Sequence, residues 1–211
     1  MKRSSFFQAA LAIATIALAT DHAQAQTAFV KGSTAFNLGI GLGGARYSYI
    51  SAYNDNYTVS PTIIVNGEHG VGELGPGTLG IGGFVGHKSV SYKYTNNSAF
   101  SNYTYNYDQK WSNTLIGLRG SWHPNEFFEN EKVDLYGGVM LGYNIGSYKN
   151  NSTRTINGVT TVYDEGYGYK TSYVTWSTFI GARYFFTQSI GAYLELGYGV
   201  SYLNLGLSFK L

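Results

Sequence analysis

LNLGLSFKL, residues 203–211, sets an apolar side chain at every second position: Leu203, Leu205, Leu207, Phe209 and Leu211. Asn204, Gly206, Ser208 and Lys210 stand between them. Successive side chains of a β-strand point to opposite faces, so period two marks a strand with one apolar and one polar side. The polar side is unusual. Three of its four residues are small or uncharged, too bare for a sheet surface facing water. A strand crossing a bilayer takes about 9–11 residues, which this stretch supplies.

Seven upstream segments repeat the pattern. They lie at about 34–43, 59–69, 78–89, 111–122, 133–145, 172–186 and 190–200. In the first, Phe36, Leu38, Ile40 and Leu42 oppose Asn37, Gly39, Gly41 and Gly43. In the fifth, Leu135, Val139, Leu141, Tyr143 and Ile145 oppose Asp134, Gly138, Gly142 and Asn144. No segment of useful length has helical periodicity. The connections alternate between long, about 45–58, 92–109 and 146–171, and short, about 70–77, 123–132 and 187–189, until the last, around 199–202, which is also short. An up-and-down meander sends alternate connections to opposite ends, so the long loops share one end and the turns the other. These features predict an all-β fold: an eight-stranded antiparallel up-and-down transmembrane β-barrel with short periplasmic turns and long outer loops.

Composition agrees with a membrane setting. Charged residues are 12% of the 211, against about 25% in ordinary soluble domains. Aromatics reach 17%, with 20 tyrosines, while mean hydropathy is only −0.14. Low charge without long apolar runs excludes helical spans and fits strands with one lipid face. In a narrow barrel the inward face must be small, because the lumen is filled by side chains. Closure leaves no sheet edge to expose unpaired backbone groups to lipid. Tyrosines near strand ends would form interfacial girdles.

Residues 1–25 stand apart. Lys2 and Arg3 precede an uncharged, mostly apolar run from Phe6 to Ala19, and Ala23-Gln24-Ala25 fits a small-residue cleavage site. The expectation is a cleaved secretory signal peptide at 1–25 and a single barrel domain at 26–211. Removing the peptide leaves 12 basic against 11 acidic residues, which gives no reason to expect a nucleic-acid partner. There is no cysteine, so disulfides and lipoprotein anchoring are excluded.

Particular residues carry a resemblance. Asn204, Gly206, Phe209 and Leu211 occupy the places of the terminal signal of outer-membrane barrels: a polar residue, Gly two on, and hydrophobics three and five further. Ile116-Gly117-Leu118-Arg119-Gly120, Leu135-Tyr136-Gly137-Gly138, Phe179-Ile180-Gly181-Ala182-Arg183-Tyr184 and the run at 191–199 resemble strands of the same proteins. The chain resembles the small Gram-negative outer-membrane β-barrels, the class of OmpX and the OmpA membrane domain. The resemblance implies integral residence in the cell outer membrane, with outer-membrane lipid and the barrel-assembly machinery as partners. The last residue is often Phe in that family and is Leu here.

Glu68, Arg119, Arg183 and Glu195 fall on the polar face at comparable depth in the short-turn half, where they would pair across the lumen as a structural charge cluster. No nucleophile is expected among them. Gly39-Ile40-Gly41-Leu42-Gly43-Gly44 matches G-x-G-x-x-G, but no helical pattern follows, so it is not read as a nucleotide site. The histidines lack ligand spacing: His22 is in the leader, His69 and His123 flank turns, and His87 lies near an outer end. His87 with Ser89 or Ser91 is the sole serine-hydrolase pairing that can be assembled. No catalytic residue, cofactor or metal is therefore expected, and the chain is read as a non-enzyme. The outer loops YSYISAYNDNY (47–57), YKYTNNSAFSNYTYNYDQK (92–110) and YKNNSTRTINGVTTVYDEGYGYKTSY (148–173) are rich in Tyr, Asn, Ser and Thr. That mixture suits recognition surfaces, and cell-surface or glycan ligands are the expected partners of an adhesion-like protein. The alternatives are a small pore, which would need ten strands, by a further hairpin from 146–171, and a lipid-modifying barrel hydrolase.

Overall fold

Alternation decides which side of each strand meets lipid. In the computed structural model, which describes residues 28–43, 56–97, 103–127, 132–162, 172–198 and 201–211, the chain forms eleven strands. They are β1 Thr34–Leu42, β2 Tyr57–Val59, β3 Thr62–Glu73, β4 Thr78–Asn97, β5 Tyr103–His123, β6 Val133–Asn150, β7 Thr153–Ile156, β8 Val159–Val162, β9 Tyr173–Phe185, β10 Ile190–Gly197 and β11 Leu203–Lys210. Eight of them close a ring of antiparallel neighbours: β1, β3, β4, β5, β6, β9, β10, β11 and back to β1. This is the closed eight-stranded up-and-down barrel that the sequence predicts.

The seam is the pairing of β11 with β1, from Ala35↔Lys210 to Leu42↔Leu203. Leu211 N donates to Thr34 O (2.9 Å), so the last residue is locked to the first strand. Gly39 faces Gly206 across the seam. A Cβ on Gly206 would run into the backbone carbonyl of Leu38, and one on Gly39 into that of Leu205. The two strands approach this closely only because neither carries a side chain there.

Outward residues form an apolar belt. Leu118 is 69% exposed and Trp176 72%, and Leu38, Val65, Ile81, Val139, Leu141, Ile180, Leu194 and Leu207 join them around the ring. Exposed apolar surface of this extent on every strand marks a membrane-facing exterior. No helix among the described residues is long and apolar enough to cross a membrane.

The outer end departs from the sequence reading. The stretch at 92–109, expected as a loop, is mostly sheet: β4 and β5 pair without a register break from Thr78↔His123 to Asn97↔Thr104. Residues 88–97 lengthen β4 by about 30 Å of strand, at roughly 3.3 Å per residue, beyond Ile63↔His87, where its pairing with β3 ends. The 146–171 region does contain a further hairpin, β7 and β8 joined at Asn157-Gly158. Asn157 (φ 49°) and Gly158 (φ 82°) give the left-handed pair that a two-residue hairpin turn requires. This hairpin docks on the upper part of β5, Tyr103↔Ile156 to Asn106↔Thr153, and adds no stave. The ten-strand alternative is thereby excluded. The leader at 1–25 and most of the first outer loop lie outside the described residues.

Candidate functional site

The inward positions of the strands converge on the lumen near the short-turn end. Glu68 comes from β3, Arg119 from β5, Arg183 from β9 and Glu195 from β10, all nearly inaccessible. Arg119 Nη2 donates to Glu195 Oε2 at 2.9 Å, and its Nε lies 3.3 Å from Glu68 Oε2. Arg183 Nη2 donates to Glu68 Oε1. The four residues singled out in the sequence therefore meet in one network, with Glu68 between the two guanidinium groups.

The network is larger than those four. Asp134 at the start of β6 accepts from Arg183 Nη1 at 2.6 Å. Arg183 Nε donates to Asn37 Oδ1 (3.3 Å), and Asn37 Nδ2 to Asn66 Oδ1 (2.7 Å). Tyr136 OH donates to Glu195 Oε2 (3.3 Å). Aromatic faces cover the cations: Arg119 Cζ sits 4.1 Å from the Phe179 centroid and Arg183 Cζ 4.4 Å from that of Tyr136. Two guanidinium groups, three carboxylates and His123 thus fill the section, each charge held by an opposite one or a hydrogen bond, as burial demands.

His123 flanks a turn, as the sequence reading has it, and also belongs to the network. It is the last residue of β5, faces inward and is fully buried. Its Nδ1 lies 2.7 Å from Asp134 Oδ1 and its Nε2 3.0 Å from Ser121 Oγ. A serine therefore does accompany the charges, and Ser121, His123 and Asp134 have the connectivity of a hydrolytic triad. Their surroundings give them different work. Ser121 Oγ donates to Glu68 Oε2 at 2.7 Å, which occupies its proton. The ring of Phe29 stacks on His123, centroids 4.0 Å apart and planes 19° apart. All three side chains are buried, so no scissile group has a path to the hydroxyl.

Phe29 reaches that position from outside the strand pattern. The segment before β1 folds into the short-turn mouth. Gly32 N donates to Gly70 O (2.8 Å), Asn125 Nδ2 donates to Phe29 O, and Ala28 and Phe29 are buried. The opening at the short-turn end is stoppered by an aromatic ring. The signal for His123 and Asp134 was present in the sequence, since both continue the inward parity of their strands. Phe29 carried none, because it belongs to no strand.

The other candidates stay apart. His87 projects outward and meets Thr114 Oγ1 at 2.9 Å, not Ser89 or Ser91. His69 meets Thr34 (2.9 Å). No cluster of three or more metal-ligating side chains exists among the described residues. Of the four residues that match the terminal pattern, Asn204 faces the lumen with Nδ2 3.5 Å from Glu195 Oε1. Gly206 lies at the seam, Phe209 pairs with Phe36 and Ile190, and Leu211 is held by Thr34.

A closed ring with an apolar exterior and a filled, ion-paired interior defines a small membrane-spanning β-barrel. In architecture it is similar to solved outer-membrane barrels. One is Ail, the attachment invasion locus protein of Yersinia pestis, in complex with the heparin analogue sucrose octasulfate. It is 10% identical, with a TM-score of 0.48, over 86% of this chain and all of Ail. Another is the N-terminal β-barrel domain of Pseudomonas aeruginosa OprF, 11% identical with a TM-score of 0.44, over 86% of this chain and 98% of that domain. No family model and no curated protein matches the sequence.

Proposed function

We propose that this chain is an integral outer-membrane barrel that acts at the cell surface through its outer hairpins and has no enzymatic activity. Residues 1–25 direct export and are cleaved. Asn204, Gly206, Phe209 and Leu211 hand the last strand to the barrel-assembly machinery. Glu68, Arg119, Arg183 and Glu195 serve as structural filling, locking the eight strands around one buried network.

The observation that carries the surface role is the height of the β4–β5 hairpin. Strands that only anchored a barrel could turn at the rim, as β10 and β11 do, where Gly197 N donates to Tyr202 O (3.0 Å). Continuing β4 and β5 far into solvent, and bracing them with β2, β7 and β8, builds a rigid projection. A rigid surface loses little entropy on binding, which favours recognition. The filled lumen and the Phe29 stopper weigh against the pore alternative. The outward-facing His87, bonded to Thr114 alone, weighs against the hydrolase.

The test removes the projection and keeps the barrel. Replacing residues 92–109 with an Asn-Gly turn joins Ser91 to Lys110, which already face each other. Cells displaying this variant should lose attachment to host-cell or neighbouring-cell surfaces, while the purified protein retains its heat-modifiable gel shift. Undiminished attachment would overturn the surface-interaction reading.

A further inference from the structure

The tyrosines of the projection are not scattered over it. The unbroken β4–β5 register carries the inward parity of the barrel above the rim, so Tyr92, Tyr94, Tyr103, Tyr105 and Tyr107 share the face that bears Arg119 lower down. Tyr57 joins them through the pair Tyr57↔Tyr92. Their rings form one contiguous strip. Centroids are 4.6 Å apart for Tyr57 and Tyr92, 6.3 Å for Tyr92 and Tyr107, 6.2 Å for Tyr94 and Tyr107, 6.3 Å for Tyr105 and Tyr107, and 6.2 Å for Tyr103 and Tyr105.

The charged side chains described on this face have one sign. Arg154 stands opposite Tyr105, and Lys88, itself buried, lies at its foot with Nζ donating to Gly43 O at 2.8 Å. By strand parity no carboxylate among the described residues of the projection shares it. Asp108 sits on the reverse face, 3.6 Å from Lys93. Asn96 and Gln109 add amide groups beside the rings.

We infer that this strip is a binding site for an acidic glycan, a chain of pyranose rings carrying carboxylates. The assignment rests on the surface-interaction reading and names its ligand. Sugar rings present C–H faces that stack on aromatic rings, and a row of tyrosines offers consecutive platforms, as aromatic rows do for successive bases of a single strand. Amides and phenol hydroxyls bond the sugar hydroxyls, a mixture typical of adaptable recognition surfaces. A face whose described charges are cationic favours an anionic chain by charge complementarity.

The test uses the purified full-length barrel, refolded and checked by its heat-modifiable shift, titrated calorimetrically with a hyaluronate hexasaccharide and with neutral cellohexaose. The wild type should bind hyaluronate more tightly than cellohexaose. Tyr107→Ala should weaken hyaluronate binding by about tenfold or more, and Tyr107→Phe, which keeps the ring, should restore it. Arg154→Gln should abolish the preference for the acidic probe, and Lys93→Gln on the reverse face should change nothing. The assignment is overturned if the wild type binds neither probe, if it binds both equally, or if Tyr107→Ala has no effect. It is also overturned if the strip mediates a concentration-dependent dimer instead. Should glycan binding fail while replacement of residues 92–109 still abolishes cell attachment, only the ligand assignment falls. Should attachment survive that replacement, the surface role falls with it.

Discussion

Glu68 is the residue on which the interior turns. It pairs with Arg183 and Arg119 and accepts from Ser121, and both its oxygens are engaged. Glu68→Ala would leave two guanidinium groups in the lumen with one carboxylate each, Asp134 and Glu195. Breaking a buried pair from one side costs about 3–5 kcal/mol, so the variant should unfold at clearly lower denaturant in detergent. Asp108→Ala, which frees the exposed Lys93, should cost under about 1 kcal/mol. Equal midpoints for the two variants would contradict an ion-paired interior. Parity along the strands made Glu68, Arg119, Arg183 and Glu195 legible in the sequence, because a charge on the bare face of an otherwise apolar strand stands out. His123 has the same parity but ends β5, where sequence does not separate a last inward residue from a turn; Asp134 stood on the polar face of its segment, but nothing in the spacing tied it to Arg183. Phe29 was not legible at all, since what buries it is the mouth of a closed ring.

At the scale of the element, the seam between β1 and β11 joins residues far apart in the chain, and its register depends on glycine. Gly206→Ala would place a methyl group against the Leu38 carbonyl, so this variant should fail to yield the heat-modifiable folded form. Gly72→Ala on β3, where an added Cβ meets nothing within 4 Å, should fold as the wild type does. Normal folding of Gly206→Ala would show that the close approach is not required. All eight staves were legible from alternation, with ends displaced by a few residues. The upper halves of β4 and β5 were not. In YTYNYDQKW, residues 103–111, tyrosine alternates with Thr, Asn and Asp. Tyrosine is itself amphipathic, so the period is present in size and nearly absent in hydropathy. The β7–β8 hairpin did leave a signal, the Asn157-Gly158 pair between Ile156 and Val159, which in a Tyr- and Asn-rich tract reads as one more polar loop.

Over the whole molecule, lipid outside and charge inside are two sides of the same alternation. An interior crossed by Arg119, Arg183 and their carboxylates, and closed by Phe29, leaves no continuous aqueous path. Purified protein in a planar bilayer should show no stable single-channel steps, and steady conductance abolished by Arg119→Ala would instead favour a pore. The central claim, that alternate residues of the strands face lipid, can be measured directly because the chain has no cysteine. Single-cysteine variants across residues 203–210 other than Gly206, nitroxide-labelled and reconstituted in bilayers, report accessibility to oxygen, which partitions into lipid. Oxygen collisions should follow period two, highest at Leu205 and Leu207 and lowest at Asn204 and Ser208. Uniform accessibility along the stretch, or access of a water-soluble nickel reagent to positions 205 and 207, would contradict it.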